Sequence, residues 1–111
     1  MEAHLFRYHR KAVLCFYSSQ DEFNKLSEFL NSDYGSYDYG FSKNTKLRKD
    51  NGFYYTAIEI LDKSLDNISG LKNGVMKSFG IKLNVEDTKN CESDIRKLLV
   101  SCIDKIVEKH K

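Results

Sequence analysis

The sequence has no proline and no tryptophan, and only six glycines and three cysteines among its 111 residues. The missing proline, set beside abundant Lys, Asn, Ser, Asp and Tyr, points to an AT-rich coding sequence, which characterises a genome rather than an activity. Cys15, Cys91 and Cys102 are odd in number and have no C-x-x-C spacing, so a secreted disulfide scaffold is not expected and the thiols read as reduced. Cys91 and Cys102 fall on one face of a predicted helix and cannot bridge within it. Long apolar runs are also lacking. The longest, Ala12 to Tyr17, holds six residues, against the ~20 that a membrane-spanning helix needs. It is too short for a signal-peptide core and no small-residue cleavage site follows it, so a cytoplasmic protein is expected. Nor is one sign of charge in large excess: 18 basic and 16 acidic residues leave a net charge of +2, short of a dedicated nucleic-acid binder.

Two chemical signatures are missing as well. Gly70 and Gly74 are spaced G-x-x-x-G without the Lys-Ser or Lys-Thr that completes a phosphate loop. The three histidines, His4, His9 and His110, are not clustered with cysteines at metal-ligand spacing. No cofactor, no metal site and no catalytic residue set is therefore expected. Asn67-Ile68-Ser69 matches a glycosylation acceptor, which without a secretion signal is read as chance.

What is present is a sequence that is 41% hydrophobic, long enough for one domain over residues 1–111 and for a core without staples. Residues 11–17 are apolar on both faces and predict a central buried strand. Ser19 followed by Glu22 forms a capping box, and Phe23, Leu26, Phe29 and Leu30 fall at helical spacing up to a stop near Asn31. Aromatic residues alternate with small or polar ones from Tyr34 to Phe41, and residues 43–49 are read as continuing that strand. Asp50-Asn51-Gly52 is a strong hairpin signal. Phe53 to Ile60 then alternates again, with Tyr54, Thr56, Ile58 and Ile60 on one face and Phe53, Tyr55 and Ala57 on the other. A helix is predicted over 63–79, weakened by Gly70 and Gly74 and closed by Gly80 at its C′ position. A short strand follows through Ile81, Leu83 and Val85, and a last helix from about Thr88 to the end of the sequence. The expected class is α+β. It is a single-layer, mostly antiparallel sheet with helices on one face in β-α-β-β-α-β-α order, a ferredoxin-like variant with an added C-terminal helix and an optional strand at Leu5 to Tyr8.

The richest feature is aromatic, with seven Tyr and seven Phe. Tyr37, Tyr39 and Phe41 precede the basic residues Lys46, Arg48 and Lys49, and Tyr55 follows the turn. These seven residues form the expected partner-binding surface, since helices readily cover only one face of the sheet and an open aromatic and basic face is an interaction surface. A C-terminal helix folded over that face would satisfy it without any partner. Gly52-Phe53-Tyr54-Tyr55-Thr56 resembles the third-strand motif of RNA-recognition domains, over those five residues only. Asn51 stands where that motif carries a base, Tyr54 where it carries a small residue, and Cys15 where the first strand offers an exposed aromatic. The resemblance implies stacking of single-stranded bases on the sheet.

Three functions follow from this reading. The first is a small non-enzymatic module that binds another protein, on the pattern of bacterial or phage inhibitors, immunity proteins and antitoxins that hold a toxin or enzyme. The second is a single-stranded RNA or DNA binder. The third is a small nuclease using His9 with Arg7 or Arg10, weighed against a frayed basic N-terminus. No membrane partner is expected, and the chain is read as a monomer or homodimer.

Overall fold

The computed structural model describes residues 1–8, 11–31, 41–60, 76–77, 79–87 and 93–111, with backbone alone for 41–43. Seven elements follow in order: β1 (Glu2–Tyr8), β2 (Lys11–Ser18), α1 (Gln20–Asn31), β3 (Phe41–Asp50), β4 (Phe53–Ile60), β5 (Leu83–Asp87) and α2 (Ile95–Lys109). The class is α+β. The five strands form one mixed sheet in the order β3-β4-β2-β1-β5. The pairs β1–β2, β2–β4 and β3–β4 are antiparallel, and β1–β5 is parallel.

The strands at the centre are those whose side chains are apolar on both faces. In β1 and β2, residues 3–6 and 12–16 are buried without interruption, as a strand covered on both sides requires. The sheet separates two cores. On one face Ala3, Leu5, Leu14, Phe16, Ile58 and Ile60 pack with Leu26 of α1 and with Met76. On the other, Phe6, Tyr8, Val13, Cys15, Tyr55 and Ala57 pack under α2. From the helix, Leu98, Leu99, Cys102, Ile103, Ile106 and Val107 are buried there. Burying a large aliphatic side chain is worth roughly 1.5–3 kcal/mol, so this stripe holds α2 firmly to the sheet.

The expected helices-on-one-face arrangement is thereby corrected: α1 and α2 lie on opposite faces, because β4 and the two central strands carry apolar residues on both. The ferredoxin-like order is corrected too. β3-β4-β2 follows it, but β1 is a full strand inserted between β2 and β5. The reading of the N-terminus as frayed and solvated fails with it, since Ala3, His4, Leu5, Phe6 and Tyr8 are all buried.

Local chemistry accounts for the ends of the elements. Ser19 and Glu22 close the capping box of α1: the Ser19 hydroxyl donates to Glu22 Oε1 at 3.0 Å, and the Glu22 amide donates back to Ser19 Oγ at 3.4 Å. Asn51 (φ 51°) and Gly52 (φ 82°) take the left-handed conformations that a tight β3–β4 turn requires. At Gly80 (φ 67°) the amide donates to the Lys77 carbonyl and the Ile81 amide to the Met76 carbonyl. That is the Schellman pattern that stops a helix. The rest of the helix expected over 63–79 lies outside the described residues, apart from Met76, Lys77 and Phe79. The last helix begins later than expected, at Ile95 rather than near Thr88, because Asp94 caps it by accepting from the Arg96 amide at 2.9 Å.

Candidate interaction surface

β3 is an edge strand, and the side chains of residues 44–49 are all exposed. Its register against β4 assigns them to faces. Lys46 and Arg48 stand opposite Ala57 and Tyr55, on the α2 side. Thr45, Leu47 and Lys49 stand opposite Ile58, Thr56 and Tyr54, on the α1 side. Leu47, 53% exposed, is an apolar side chain on a strand that otherwise shows cations and polar groups to water.

A groove runs along each flank of this strand. On the α1 side a cleft of about 190 Å³ is lined chiefly by the apolar Phe23, Leu26, Leu30, Leu47 and Ile58, with Ser27, Asn31, Thr45, Lys46 and Thr56 adding polar groups. On the α2 side a wider and shallower groove of about 380 Å³ is lined by Lys46, Arg96, Lys97, Val100, Ser101 and Asp104. Arg48 stands beside it, with Nη1 3.4 Å from Asp104 and Nη2 3.9 Å from Asp50. The groove therefore gathers cations from both strand and helix around a single carboxylate of its lining, a field that favours an anionic group.

The aromatic residues mostly satisfy one another. Tyr17 stacks on Phe53 with ring centres 5.0 Å apart, on His110 at 3.8 Å, and lies 5.2 Å from Tyr55. On the other face Phe23 stacks on Tyr54 at 4.5 Å, and Lys49 Nζ sits 5.3 Å from the Tyr54 ring centre. The Tyr17 contacts with Phe53 and Tyr55 are cross-strand and stabilise the sheet, while those of Phe23 and His110 tie the helices to it.

The expected surface is thus brought together only in part. Lys46, Arg48 and Lys49 are exposed neighbours on β3. Tyr55 is corrected: it is 6% exposed and packed beneath α2, because that helix covers the face expected to be open. Phe41 pairs with Ile60 at the start of β3, and Tyr37 and Tyr39 lie outside the described residues. Arg96, Lys97 and Val100 were not among the expected residues. They occupy the side of α2 away from its apolar stripe, which marks them as solvent-facing but not as neighbours of β3.

The same covering helix bears on the five-residue resemblance to RNA-recognition domains. Cys15, where an exposed aromatic is needed, is buried against Cys102, and Tyr55 is buried under α2. Phe53 remains 42% exposed at the hairpin end. For the nuclease reading, Arg7 is held by Asp87 through Nε at 2.7 Å and Nη2 at 3.0 Å. His9 and Arg10 lie outside the described residues. His4 is buried, with Nε2 3.4 Å from Glu2 and Nδ1 3.9 Å from Glu86.

The two buried thiols form a cluster that the spacing of cysteines did not reveal. Cys102 Sγ lies 3.0 Å from the Tyr8 hydroxyl and within hydrogen-bonding reach of Cys15. Burial, with a smaller contribution from Cys102, pushes the Cys15 thiol well above its ordinary range. Cys91 lies outside the described residues.

No protein-family model matches this chain, and no curated protein is similar to it.

Proposed function

We propose that the protein is a small binding module that holds a partner protein along β3 and the basic groove between β3 and α2. One observation carries the reading: an exposed edge strand bears Lys46, Arg48, Lys49 and the exposed Leu47, with an apolar cleft on one flank and a cationic groove on the other. Charged groups flanking an apolar anchor are the ordinary make-up of a specific protein interface. An inhibitor or immunity-type role in the cytoplasm, with a toxin or enzyme as partner, fits this size and surface. No helix among the described residues is long and apolar enough to cross a membrane.

The test compares co-purification from the native host by the wild-type protein and by a Lys46→Glu/Arg48→Glu/Lys49→Glu variant whose circular dichroism is unchanged. A partner protein retained by the first and lost by the second supports the reading. Partners retained equally by both overturn it. So does salt-dependent binding of a single-stranded RNA or DNA oligonucleotide that the triple variant loses, which assigns the cations to phosphates instead.

A further inference from the structure

We propose that β3 takes up a sixth strand, supplied by an extended segment of the partner that alternates apolar with acidic side chains. The inference rests on the proposed binding role of this surface and gives its geometry and chemistry.

The argument begins with the backbone. Every strand of the sheet except the two outermost is paired on both sides, and β3 is one of those two. Among the described residues no strand covers its outer side. An exposed edge of this kind offers a ladder of amide and carbonyl groups to an incoming chain. An added strand would lie about 4.8 Å from β3 and send successive side chains to opposite faces.

The two faces make different demands. Toward α1 the added strand meets Leu47 between Thr45 and Lys49, with the leucine on the largely apolar cleft that continues to Phe23 and Ile58. Toward α2 it meets Lys46 and Arg48 on the strand, Arg48 being shared with Asp104 and Asp50, with Arg96 and Lys97 across the groove. A period-two segment with apolar groups on the first face and carboxylates on the second satisfies both together. A uniformly acidic segment would leave the cleft unfilled, and a uniformly apolar one would bury the cations' surroundings without pairing them.

A second copy of this chain is a poor occupant. Two antiparallel β3 strands centred on Leu47 would bring Lys46 of each copy against Arg48 of the other, and facing like charges destabilise a strand pair. The other outer strand, β5, is acidic at Glu86 and Asp87, but Lys109 already binds Glu86 and Arg7 already binds Asp87. Charge complementarity therefore selects an acidic strand from a different protein.

The test uses a synthetic ten-residue peptide alternating glutamate with valine, and a control of the same composition with the glutamates in one block. Binding is followed by amide hydrogen exchange and by chemical-shift changes in the full-length protein. The alternating peptide is expected to slow exchange at outward-pointing amides between Thr45 and Lys49. It should bind roughly tenfold more tightly than the block control, and Lys46→Glu/Arg48→Glu should weaken it by about tenfold or more. N-methylation of the alternate peptide amides that face β3 should abolish binding and protection together, whereas N-methylation of the other set should leave both intact. Equal binding of the two peptides, binding without protection of β3, or no binding at millimolar peptide overturns the added strand. The failure is separable from that of the broader reading. A partner lost from the triple-charge variant, with no strand protection by either the partner or the peptide, keeps the surface and rejects the pairing. A partner indifferent to those charges rejects both.

Discussion

Cys15 and Cys102 form a pair of thiols shifted in opposite directions, Cys15 upward chiefly by burial and Cys102 downward chiefly by its hydrogen bond with Cys15. The Cys15 thiol lies on β2 beneath α2, and burial raises its pKa well above the ordinary value of 9.0. As pH rises, the unfolded chain gives up this proton before the folded one does. The associated stability is thus complete below 9.0 and drains away as pH climbs toward the folded value. With Cys102 replaced by alanine, so that Cys15 titrates without its partner, urea unfolding is expected to lose stability more steeply between about pH 9 and pH 10 than in a Cys15→Ala/Cys102→Ala variant. Parallel slopes would remove the thiol from the alkaline response. In a Cys91→Ser background a thiol reagent should find neither Cys15 nor Cys102 until the protein unfolds, since both are buried.

At the scale of the element, the start of α1 shows how a few polar atoms set a boundary. The Met1 amine, 2.8 Å from Glu22 Oε2, holds the Glu22 carboxyl below its ordinary value of 4.5, with help from the Ser19 amide. A lowered carboxyl stabilises the fold above its unfolded pKa, and the stability is lost as pH falls through the lowered folded value. Ser19→Ala is expected to cost about 1 kcal/mol in chemical denaturation, the usual cost of a lost cap. Glu22→Gln should flatten the acid limb of the stability profile below about pH 4.5. An acid limb identical to wild type would show the carboxylate to be idle.

This capping box was readable in advance because cap chemistry is local, and so were the Asn51-Gly52 turn and the two faces of β4. β1 was harder. His9 and Arg10 separate it from β2 without the Asn-Gly chemistry that usually marks a two-residue hairpin, and its basic flank reads as solvated. β5 shows the opposite failure. Alternation groups Val85 with Leu83 on one face, yet on this edge strand Leu83 is buried and Val85 is 42% exposed.

At the scale of the molecule, the decisive unknown in the sequence was which helix covers which face. A period-two strand pattern says that both faces of β4 are apolar, but not what lies over them, since that depends on contacts between Tyr55 and residues about fifty positions later in α2. The surface was legible in its cations, which any exposed strand declares, and illegible in its grooves, which need α1, β3 and α2 together. The two-core arrangement makes a clear prediction. Truncation before Ser93 would uncover Phe6, Tyr8, Val13, Cys15 and Ala57 as one apolar face. Such a chain is expected to lose cooperative thermal unfolding and to bind a hydrophobic dye. A sharp calorimetric transition in the truncated chain would mean that the α1 core alone sustains the sheet.

The parallel pairing of β1 with β5 has a consequence for the making of the chain. Arg7 and Asp87 are 80 residues apart in sequence yet bonded in the sheet. During synthesis, therefore, β1 emerges first and can zip onto β2, but its other edge has no mate until residue 87 has cleared the ribosome. For that interval a strand destined for the middle of the sheet presents an open ladder to its surroundings. At roughly 5–20 residues per second the wait lasts several seconds. Early closure by some other chain during that time, rather than any weakness of the finished fold, is the hazard built into this topology.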